Sequence, residues 1–341
     1  MNIRMLTAIL IIVLIGVVSC SAPKTKISVL KPSKVDMSNH RNIAIADFRG
    51  DGNSGRTIAT KLTSQLFKSD YFSIMERSQI EELLAEQSLG LTGAVDPETA
   101  AELGKVLGVQ AIIFGEVGAY RVEDESGTEK IKKRIWTGEY EKDDNGKIIY
   151  EKTLFGKSKK KKYKEEFVDE PYIVRSGTVQ VSFRVVDVET AVLLAAETGS
   201  RDYSKKATGT NDIGRLKPKD AILSSLTDQA ISQFVPVISP HSVEVTKKFE
   251  KGSDLTKRAV KLAQSGLPEK AVPIFEKEAE TNPSEKTFYN LGLCYEILGR
   301  YDDAEVEYDR AVTLEPKTLY IEALKSIRKL KKDREILESR E

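Results

Sequence analysis

Thiol and imidazole side chains supply many nucleophiles, bases and metal ligands, and this chain has few of them. Its 341 residues contain two cysteines, Cys20 and Cys294, and two histidines, His40 and His241. Both histidines fall in predicted linkers, and Cys294 lies in an apolar helical pattern. Neither a Cys₂His₂ nor a His₃ metal site can be assembled from them, and a nucleophile–histidine pair would need a linker histidine to reach a core. The sequence therefore predicts no metal site, no cofactor and no catalytic residue.

A glycine-rich segment between a predicted strand and a predicted helix has part of the pattern of a phosphate-binding loop. Residues 50–57 read Gly-Asp-Gly-Asn-Ser-Gly-Arg-Thr, which differs from G-x-x-x-x-G-K-[ST] at Arg56. The lysine of that loop is a compact charge on the β- and γ-phosphates, and arginine is not a conservative replacement for it. The buried strand Ala111–Glu116 also lacks a well-placed aspartate for Mg²⁺. We interpret the glycines as permitting a tight strand-to-helix turn and predict that the chain is not an enzyme.

Cys20 has the clearest predicted chemistry. A short basic start and the uncharged residues 5–18 precede it, and the positions directly before it are Val17, Val18 and Ser19. This arrangement resembles a bacterial lipobox, in which the cysteine is acylated and becomes the first residue of the mature protein. The uncharged run of about 14 residues is shorter than the roughly 17–25 of a membrane-spanning helix. Residues 1–19 are therefore predicted to be a lipoprotein signal peptide, and an uncleaved anchor or an ordinary secretory signal remain the alternatives.

Composition limits the remaining classes of function. Lys and Arg total 53 and Asp and Glu total 52, so the formal net charge is +1 and no overall field favours nucleic acid. With Cys20 acylated and Cys294 in a core, no internal disulfide is expected. Residues 20–40 contain lysine, serine and two prolines, which predicts a flexible tether. The chain beyond the tether is long enough for two domains with their own cores.

Residues 41–240 are predicted to form an α/β domain, with a mixed sheet that helices cover on one side. Apolar alternation and helical periodicity identify its elements. The predicted strands are 42–48, 71–75, 110–117, 179–185 and 191–197. One predicted helix contains Ile58, Leu62 and Leu66, and a second follows the capping-box spacing of residues 78–81. A third covers residues 97–107, and a fourth contains the apolar stripe from Ala221 to Phe234.

Several segments of this domain together resemble one family of envelope proteins. They are residues 75–77 (Met-Glu-Arg) with 83–87 (Leu-Leu-Ala-Glu-Gln), the pair Leu103-Gly104 with 111–115 (Ala-Ile-Ile-Phe-Gly), and the hairpin residues 184–190. Their order and spacing after a lipobox resemble the CsgG/HfaB-type lipoprotein family, over roughly residues 42–236. The resemblance implies envelope assembly or export of the curli-transport type. The family includes the curli secretion channel and, more loosely, activators of cell-wall synthases.

A charged insertion at about residues 120–177 bears on whether this chain forms a channel. Each strand that spans a membrane needs about 9–11 residues, and the alternate side chains that face the lipid must be uncharged. Residues 131–140 carry charges on both faces, and 201–219 are too short and polar for two spanning strands. We therefore predict a soluble hairpin turning at residues 143–146, whose Asn-Gly is a turn signal. Its lysines would either contact an anionic surface or an acidic partner, or form a solvated loop; they are Lys157, Lys159, Lys160, Lys161, Lys162 and Lys164.

Residues 246–341 show the pattern of an all-α tetratricopeptide-repeat domain. The key positions of the clearest repeat are Phe288, Leu291, Gly292, Tyr295, Ala304, Tyr308, Ala311 and Pro316. A weaker copy lies 33 residues upstream, with Glu278 in place of a small residue, and residues 320–330 predict a capping helix. Such units present a groove for a peptide or a partner helix. The alternative is that these helices only pack against the first domain.

These observations predict a non-enzymatic lipoprotein, anchored through acylated Cys20 to the periplasmic face of the outer membrane. It would act as an assembly or transport-associated scaffold, recruit an unknown envelope protein through its repeats, and self-associate into a homo-oligomer. Two alternatives stay open: a curli-type secretion channel subunit and an LpoB-like regulator of a cell-wall synthase. No nucleic-acid partner is expected.

Overall fold

The computed structural model describes residues 22–76, 97–153 and 156–341. The helix predicted after residues 78–81 lies outside these ranges. The elements in chain order are β1 (Lys24–Lys31), β2 (Asn42–Ile45), α1 (Ser54–Phe67), β3 (Ser73–Ile74), α2 (Pro97–Leu107), β4 (Ala111–Tyr140), β5 (Tyr150–Thr153), β6 (Gly156–Lys159), β7 (Lys161–Asp187), β8 (Leu193–Thr208), α3 (Thr210–Ile213), α4 (Lys219–Ile238), β9 (His241–Lys248), α5 (Asp254–Gln264), α6 (Pro268–Thr281), α7 (Glu285–Ile297), α8 (Tyr301–Leu314) and α9 (Thr318–Ser339). None of the helices in the described ranges has the length and apolar character needed to cross a membrane.

The chain divides into two compact units with an unexpected boundary. One unit is His40–Val237, and the other combines the residues before His40 with Ile238–Glu341. The sequence placed residues 20–40 in a flexible tether, but Lys24–Lys31 form strand β1 and pair with β9. Ile27 and Val29 are buried in the core of the helical unit, which is why this segment is ordered.

The α/β unit contains a five-stranded sheet in the order β3-β2-β4-β7-β8. Strand β2 is parallel to β3 and β4, whereas β4–β7 and β7–β8 are antiparallel. The prediction of an α/β domain with a mixed sheet and flanking helices, followed by a C-terminal helical region, is confirmed, although the helical unit also contains two strands. Strands β4, β7 and β8 extend well beyond the predicted strands, since β4 alone has 30 residues.

Helices cover both faces of this sheet, and the prediction that they cover one side is wrong. On one face, Leu103 and Leu107 of α2 pack with Ala44, Ile112 and Val186. On the other face, the ring of Phe183 stacks on Phe234 of α4 with centroids 4.5 Å apart. The cause is the central strands, because every residue of 111–115 is buried and a strand buried on both sides needs cover on both.

Strands β4 and β7 continue past the sheet as a long two-stranded ribbon. β8 accompanies β7 only as far as the pair Tyr172–Thr208, after which β4 and β7 pair alone to Trp136–Tyr163 and Tyr140–Lys161. The predicted turn at residues 143–146 is present, and the Gly146 amide donates to the Asp143 carbonyl over 2.9 Å. It closes a small arm at the ribbon tip, where β5 and β6 also form a separate antiparallel pair.

The second unit is a stack of helices with a two-stranded sheet. Helix α5 packs with α6 and α7 with α8, as expected for two helical repeats, and α9 packs on α8. Strands β1 and β9 pair antiparallel along their whole length, from Lys24–Lys248 to Lys31–His241. One buried cluster contains side chains from the five helices and from β1. The repeats therefore share a core with strands from outside the repeat pattern.

Candidate functional site

The lipidation motif lies outside the described residues. Cys20 and the three preceding residues Val17, Val18 and Ser19 are not part of the ranges above. What the structure describes is the segment that follows them, because β1 begins at Lys24. The predicted acylation site is thus separated from an ordered strand by three residues.

Strands β1 and β9 present one face to the repeat helices and the other to solvent. Their burial alternates residue by residue, so that Ile27 and Val29 are buried while Lys26 and Ser28 are exposed. On β9, Val243 and Val245 pack against the same buried cluster. This period of two is the signature of a sheet with one face on a core. More than 200 residues of the chain connect these two strands, and no tight turn joins them. For their antiparallel pairing alone we call them the β1–β9 hairpin.

Polar contacts fix the hairpin to helices α5 and α7. The Tyr289 hydroxyl donates to the Lys248 carbonyl over 2.9 Å, and the Gln264 side-chain amide donates to the Lys24 carbonyl over 2.7 Å. Asn290, which is fully buried, binds both backbone groups of Glu250 just after β9. Because these groups would otherwise be buried without partners, the contacts specify where the hairpin docks.

A buried ion pair adds to this attachment. The Nζ atom of Lys247 lies 3.0 Å from Oε1 of Glu296, whose side chain is only 1% exposed. The hydroxyl of Tyr308 donates to the other carboxylate oxygen of Glu296 over 2.5 Å. Burial, followed by the charge of Glu296, raises the pKa of Tyr308 well above its usual value. Strand β9 thus supplies the counter-charge of a carboxylate inside the helical unit.

The side of the repeats lined by α5, α7 and α9 is therefore filled. The hairpin contacts α5 through Gln264, α7 through Tyr289 and Asn290, and α9 through packing of β1. Equivalent helices line one surface of a solenoid, which is the kind of surface these folds use for binding. The groove expected for a foreign peptide is occupied by two strands of this chain.

The predicted repeat positions lie in the contacts between helices. A Cβ atom added at Gly292 would lie 2.8 Å from a ring carbon of Tyr308 and 3.2 Å from the Ala304 carbonyl, so only glycine allows this approach. Tyr295 donates to Glu276 over 2.6 Å. Leu291, Ala304 and Ala311 are buried, the guanidinium of Arg310 lies over the ring of Phe288, and Pro316 follows the end of α8.

Two further side chains of the unit, those of Glu278 and Cys294, are buried. Glu278, which replaces the small residue of the repeat pattern, is 4% exposed and accepts hydrogen bonds from the hydroxyls of Ser253 and Thr256. It therefore ties α6 to the start of α5. Cys294 is a free, fully buried thiol, and burial raises its pKa to about 12. Such a thiol is unreactive at neutral pH.

The lysines of the ribbon tip make local contacts, and all of them are exposed except the half-buried Lys160. Lys160 lies 2.6 Å from Glu141, Lys162 lies 3.2 Å from Glu139, and Lys164 lies 2.9 Å from Glu166. Lys159 and Lys161 lie 5.3 and 5.0 Å from the ring centroids of Tyr140 and Trp136. Lys157 is also exposed, and it lies opposite Lys152 in the antiparallel pair of β5 and β6. Exposed ion pairs of this kind contribute little, about 0–1 kcal/mol each.

The glycine-rich segment 50–57 is a tight connection between β2 and α1. A Cβ atom at Gly55 would lie 1.7 Å from the carbonyl oxygen of Phe48, so the start of α1 packs directly on the backbone that follows β2. Gly52 has a positive φ of 58°. The loop is also closed internally, because the Ser54 hydroxyl donates to the Asp51 carbonyl over 2.7 Å. Packing accounts for these glycines without a bound phosphate.

His40 meets Asp187 at the end of β7, a contact that the sequence did not reveal. Nε2 of His40 lies 2.6 Å from one carboxylate oxygen. The other oxygen accepts hydrogen bonds from the backbone amide and hydroxyl of Thr190, at 2.7 and 2.8 Å. Burial alone would raise the pKa of Asp187, but these bonds lower it to about 2. Among the described residues, no cluster of three or more His, Cys, Asp and Glu could hold a metal.

The β1–β9 hairpin is the feature that sequence reasoning missed. In the sequence these strands are indicated only by two short stretches in which apolar and polar residues alternate, one with Ile27 and Val29 and one with Val243 and Val245. Each has only two apolar residues, and more than 200 residues separate Ile27 from its pairing partner Val245. A pattern this short does not indicate a strand unless its partner is already known.

The fold and these contacts define a class of protein: an α/β domain joined to a helical-repeat unit that holds the N-terminal strand. Residues 15–132 match the family model described as curli production assembly/transport component CsgG, and residues 285–318 match the tetratricopeptide repeat. The prediction of a CsgG-family domain followed by tetratricopeptide repeats is confirmed.

Solved structures resemble the chain only distantly. The PelC L103M dodecamer from Paraburkholderia phytofirmans is 11% identical, covers 63% of this chain and 98% of its own, and has a TM-score of 0.31. Lipoprotein GNA1162 from Neisseria meningitidis is 12% identical, with 57% and 97% coverage and a TM-score of 0.31. The LpoB C-terminal domain from Escherichia coli is 8% identical, with 48% and 82% coverage and a TM-score of 0.26. No curated protein matches the chain.

Proposed function

We propose that this chain is a lipid-anchored, non-enzymatic scaffold of the cell envelope that takes part in assembly or export. The main support for this proposal is the match of residues 15–132 to the curli production assembly/transport family. The matched segment begins inside the predicted signal peptide and includes Cys20. Acylation of Cys20 would hold the chain at the periplasmic face of the outer membrane.

The repeat unit is the proposed site of partner recruitment, through a surface other than the filled one. Helix α8 carries two large apolar side chains in solvent, Val306 at 53% and Leu314 at 57% exposure. Both lie on a helix whose other side packs on α7 and α9. A partner protein with a complementary apolar patch would bury them.

The ribbon tip is the second proposed contact. Its lysines form only exposed, weak pairs, so an anionic surface or an acidic protein can compete for them. Exposed aromatic rings accompany the lysines, with Trp136 at 44% and Tyr163 at 43% exposure. Charges occupy both faces of this ribbon, as the contacts Lys132–Glu165 and Lys133–Glu170 illustrate. This favours a scaffold over a channel subunit, because charged lipid-facing positions near the midplane oppose insertion.

Crosslinking with mass spectrometry in intact cells tests the scaffold proposal. We expect crosslinks from the wild-type chain to one or a few envelope proteins, and their loss in Cys20→Ala, which cannot be acylated. Val306→Asp with Leu314→Asp should weaken crosslinks made through the repeats. The matched double variant Thr281→Asp with Asn282→Asp, at exposed positions at the end of α6, should leave them intact. Absence of any reproducible partner would contradict recruitment.

Self-association and pore formation need separate measurements. Light scattering of the soluble mature chain should give a mass above that of one chain if the scaffold is oligomeric, and a monomer at high concentration would contradict this. Conductance across a planar bilayer, produced by a detergent-extracted oligomer, would favour the channel alternative. Crosslinks to a cell-wall synthase, with loss of its stimulation in Cys20→Ala, would favour a regulator.

A further inference from the structure

The outer face of the β1–β9 hairpin has its positive charge at one end. Residues paired across an antiparallel sheet point to the same face, so the exposed alternate residues form two-residue rows. These rows are Lys24 with Lys248, Lys26 with Thr246, Ser28 with Glu244, and Leu30 with Ser242. Three lysines therefore occupy the first two rows, and the carboxylate of Glu244 lies in the third.

The basic end of this face is the end nearest to Cys20. A fully extended chain advances about 3.5 Å per residue, so four residues place Lys24 at most about 14 Å from Cys20. An acylated cysteine lies at the level of the lipid headgroups. The ordered strand thus begins within about two Debye lengths of the bilayer surface, since the Debye length is about 8 Å at physiological salt.

The hairpin cannot move far from the surface without leaving the repeats. Ile27 and Val29 are buried in the helical unit, and the Gln264 amide binds the Lys24 carbonyl at the first residue of β1. From residue 24 onward the chain is therefore held in a strand and does not act as a flexible tether. On this face Lys26 forms an ion pair with Glu244 in which both side chains are 69% exposed. An exposed pair of this kind is weak, so another anion can displace Glu244.

We propose that the outer face of the β1–β9 hairpin is a membrane-contact surface that binds phosphate-bearing anionic lipid headgroups through Lys24, Lys26 and Lys248. The inference rests on the acylation of Cys20 in the proposed function. A single lipid attachment gains stability from a neighbouring basic patch. The two rows of lysines supply that basic patch. Leu30, which is 51% exposed on the same face, adds an apolar contact. The repeat unit is thereby held against the bilayer.

Fluorescence quenching in vesicles tests this surface with the acylated full-length chain. Thr246→Cys places one reactive thiol on the outer face, because the Cys20 sulfur is acylated and Cys294 is buried. A fluorophore at residue 246 should be quenched by nitroxide on lipid headgroups in phosphatidylcholine–phosphatidylglycerol vesicles. A fluorophore introduced by Asp309→Cys, on the exposed side of α8, should be quenched several-fold less.

Matched lysine substitutions separate headgroup binding from simple proximity. The triple variant Lys24→Gln, Lys26→Gln and Lys248→Gln should lose most of the extra quenching on anionic vesicles, as should the wild type in high salt. The control triple variant Lys325→Gln, Lys329→Gln and Lys332→Gln changes the net charge equally at exposed positions of α9 and should behave like the wild type. Equal quenching at residues 246 and 309, or no response to the first triple variant, would overturn the proposal.

The outcomes also distinguish this inference from the proposed function. Incorporation of radiolabelled palmitate and flotation with neutral phosphatidylcholine vesicles report on the anchor alone. A chain that is acylated and floats but is unquenched at residue 246 overturns the surface and leaves the anchored scaffold intact. A chain that is not acylated overturns both, because the hairpin then has no anchor beside it. Equal quenching at residue 246 on neutral and anionic vesicles would also overturn the proposal, because the lysines would then not recognise headgroup charge.

Discussion

The side chain of Asn290 makes both hydrogen bonds that the backbone of Glu250 can offer. Its Oδ1 accepts from the Glu250 amide over 2.8 Å, and its Nδ2 donates to the Glu250 carbonyl over 2.9 Å. Asn290 belongs to α7, and Glu250 is the second residue after the end of β9. These two hydrogen bonds join helix α7 of the repeats to the segment that follows β9, and β9 is not part of the repeat pattern.

Asn290→Ala should loosen the β1–β9 hairpin. The substitution leaves two backbone groups without partners beside a fully buried position, and each such group costs about 1–3 kcal/mol. Hydrogen exchange followed by mass spectrometry should show faster exchange in residues 241–251, because local opening becomes easier. Asn282→Ala, at an exposed position of the same unit, is the control, and equal protection in both variants would contradict the role of Asn290.

Gly292→Ala should destabilise the repeat unit despite the better helix propensity of alanine. The new methyl would lie 2.8 Å from the Tyr308 ring, and overpacking of this kind costs about 1–3 kcal/mol, against a propensity gain of about 1 kcal/mol. A double-mutant cycle checks the cause. The cost of Gly292→Ala should shrink in a Tyr308→Ala background, and an unchanged cost would exclude this contact as its origin.

The parts of the fold that the sequence predicted are those with strong local periodicity. Pro97–Leu107, with its first-turn proline and Gly108 at a φ of 66°, is a helix as expected, and the repeat of Gly292 and Tyr308 follows a well-defined pattern. The ribbon beyond Tyr120 was not predicted to be so long, because lysine and glutamate alternate there without a hydrophobic face. Its strands are held by backbone pairing and by cross-strand contacts such as Arg175 with Asp124.

The stability of the α/β unit should fall in acid through Asp187. Its pKa is lowered to about 2 in the folded chain, so its contribution is present above the unfolded pKa of about 4 and is lost as the pH falls toward 2. A shift of this size corresponds to on the order of 2 kcal/mol. Denaturant unfolding of the wild type between pH 5 and pH 2.5 should show this loss, and Asp187→Asn should lack it. Parallel curves for the two proteins would contradict it.

Cys294 should resist thiol reagents until the repeat unit opens. Burial raises its pKa to about 12, so the reactive thiolate is scarce at neutral pH, and the sulfur is inaccessible. Ellman's reagent should react slowly with the native chain and rapidly in denaturant. Thr246→Cys, at an exposed position of β9, should react at once and serves as the control. Fast labelling of Cys294 in the native chain would show that the helices open readily.

Lys247→Met should be more harmful than removal of both members of its ion pair. The single substitution leaves the nearly inaccessible carboxylate of Glu296 with the Tyr308 hydroxyl but without a counter-charge, and breaking a buried pair costs about 3–5 kcal/mol. The double variant Lys247→Met with Glu296→Gln removes the uncompensated charge and keeps an acceptor for Tyr308, so it should recover much of the loss. Hydrogen exchange of residues 241–251 in the single and double variants measures both effects. Additive losses would mean that Lys247 stabilises β9 by packing alone, and recovery would show that a charge on β9 is what allows Glu296 to be buried in the repeats.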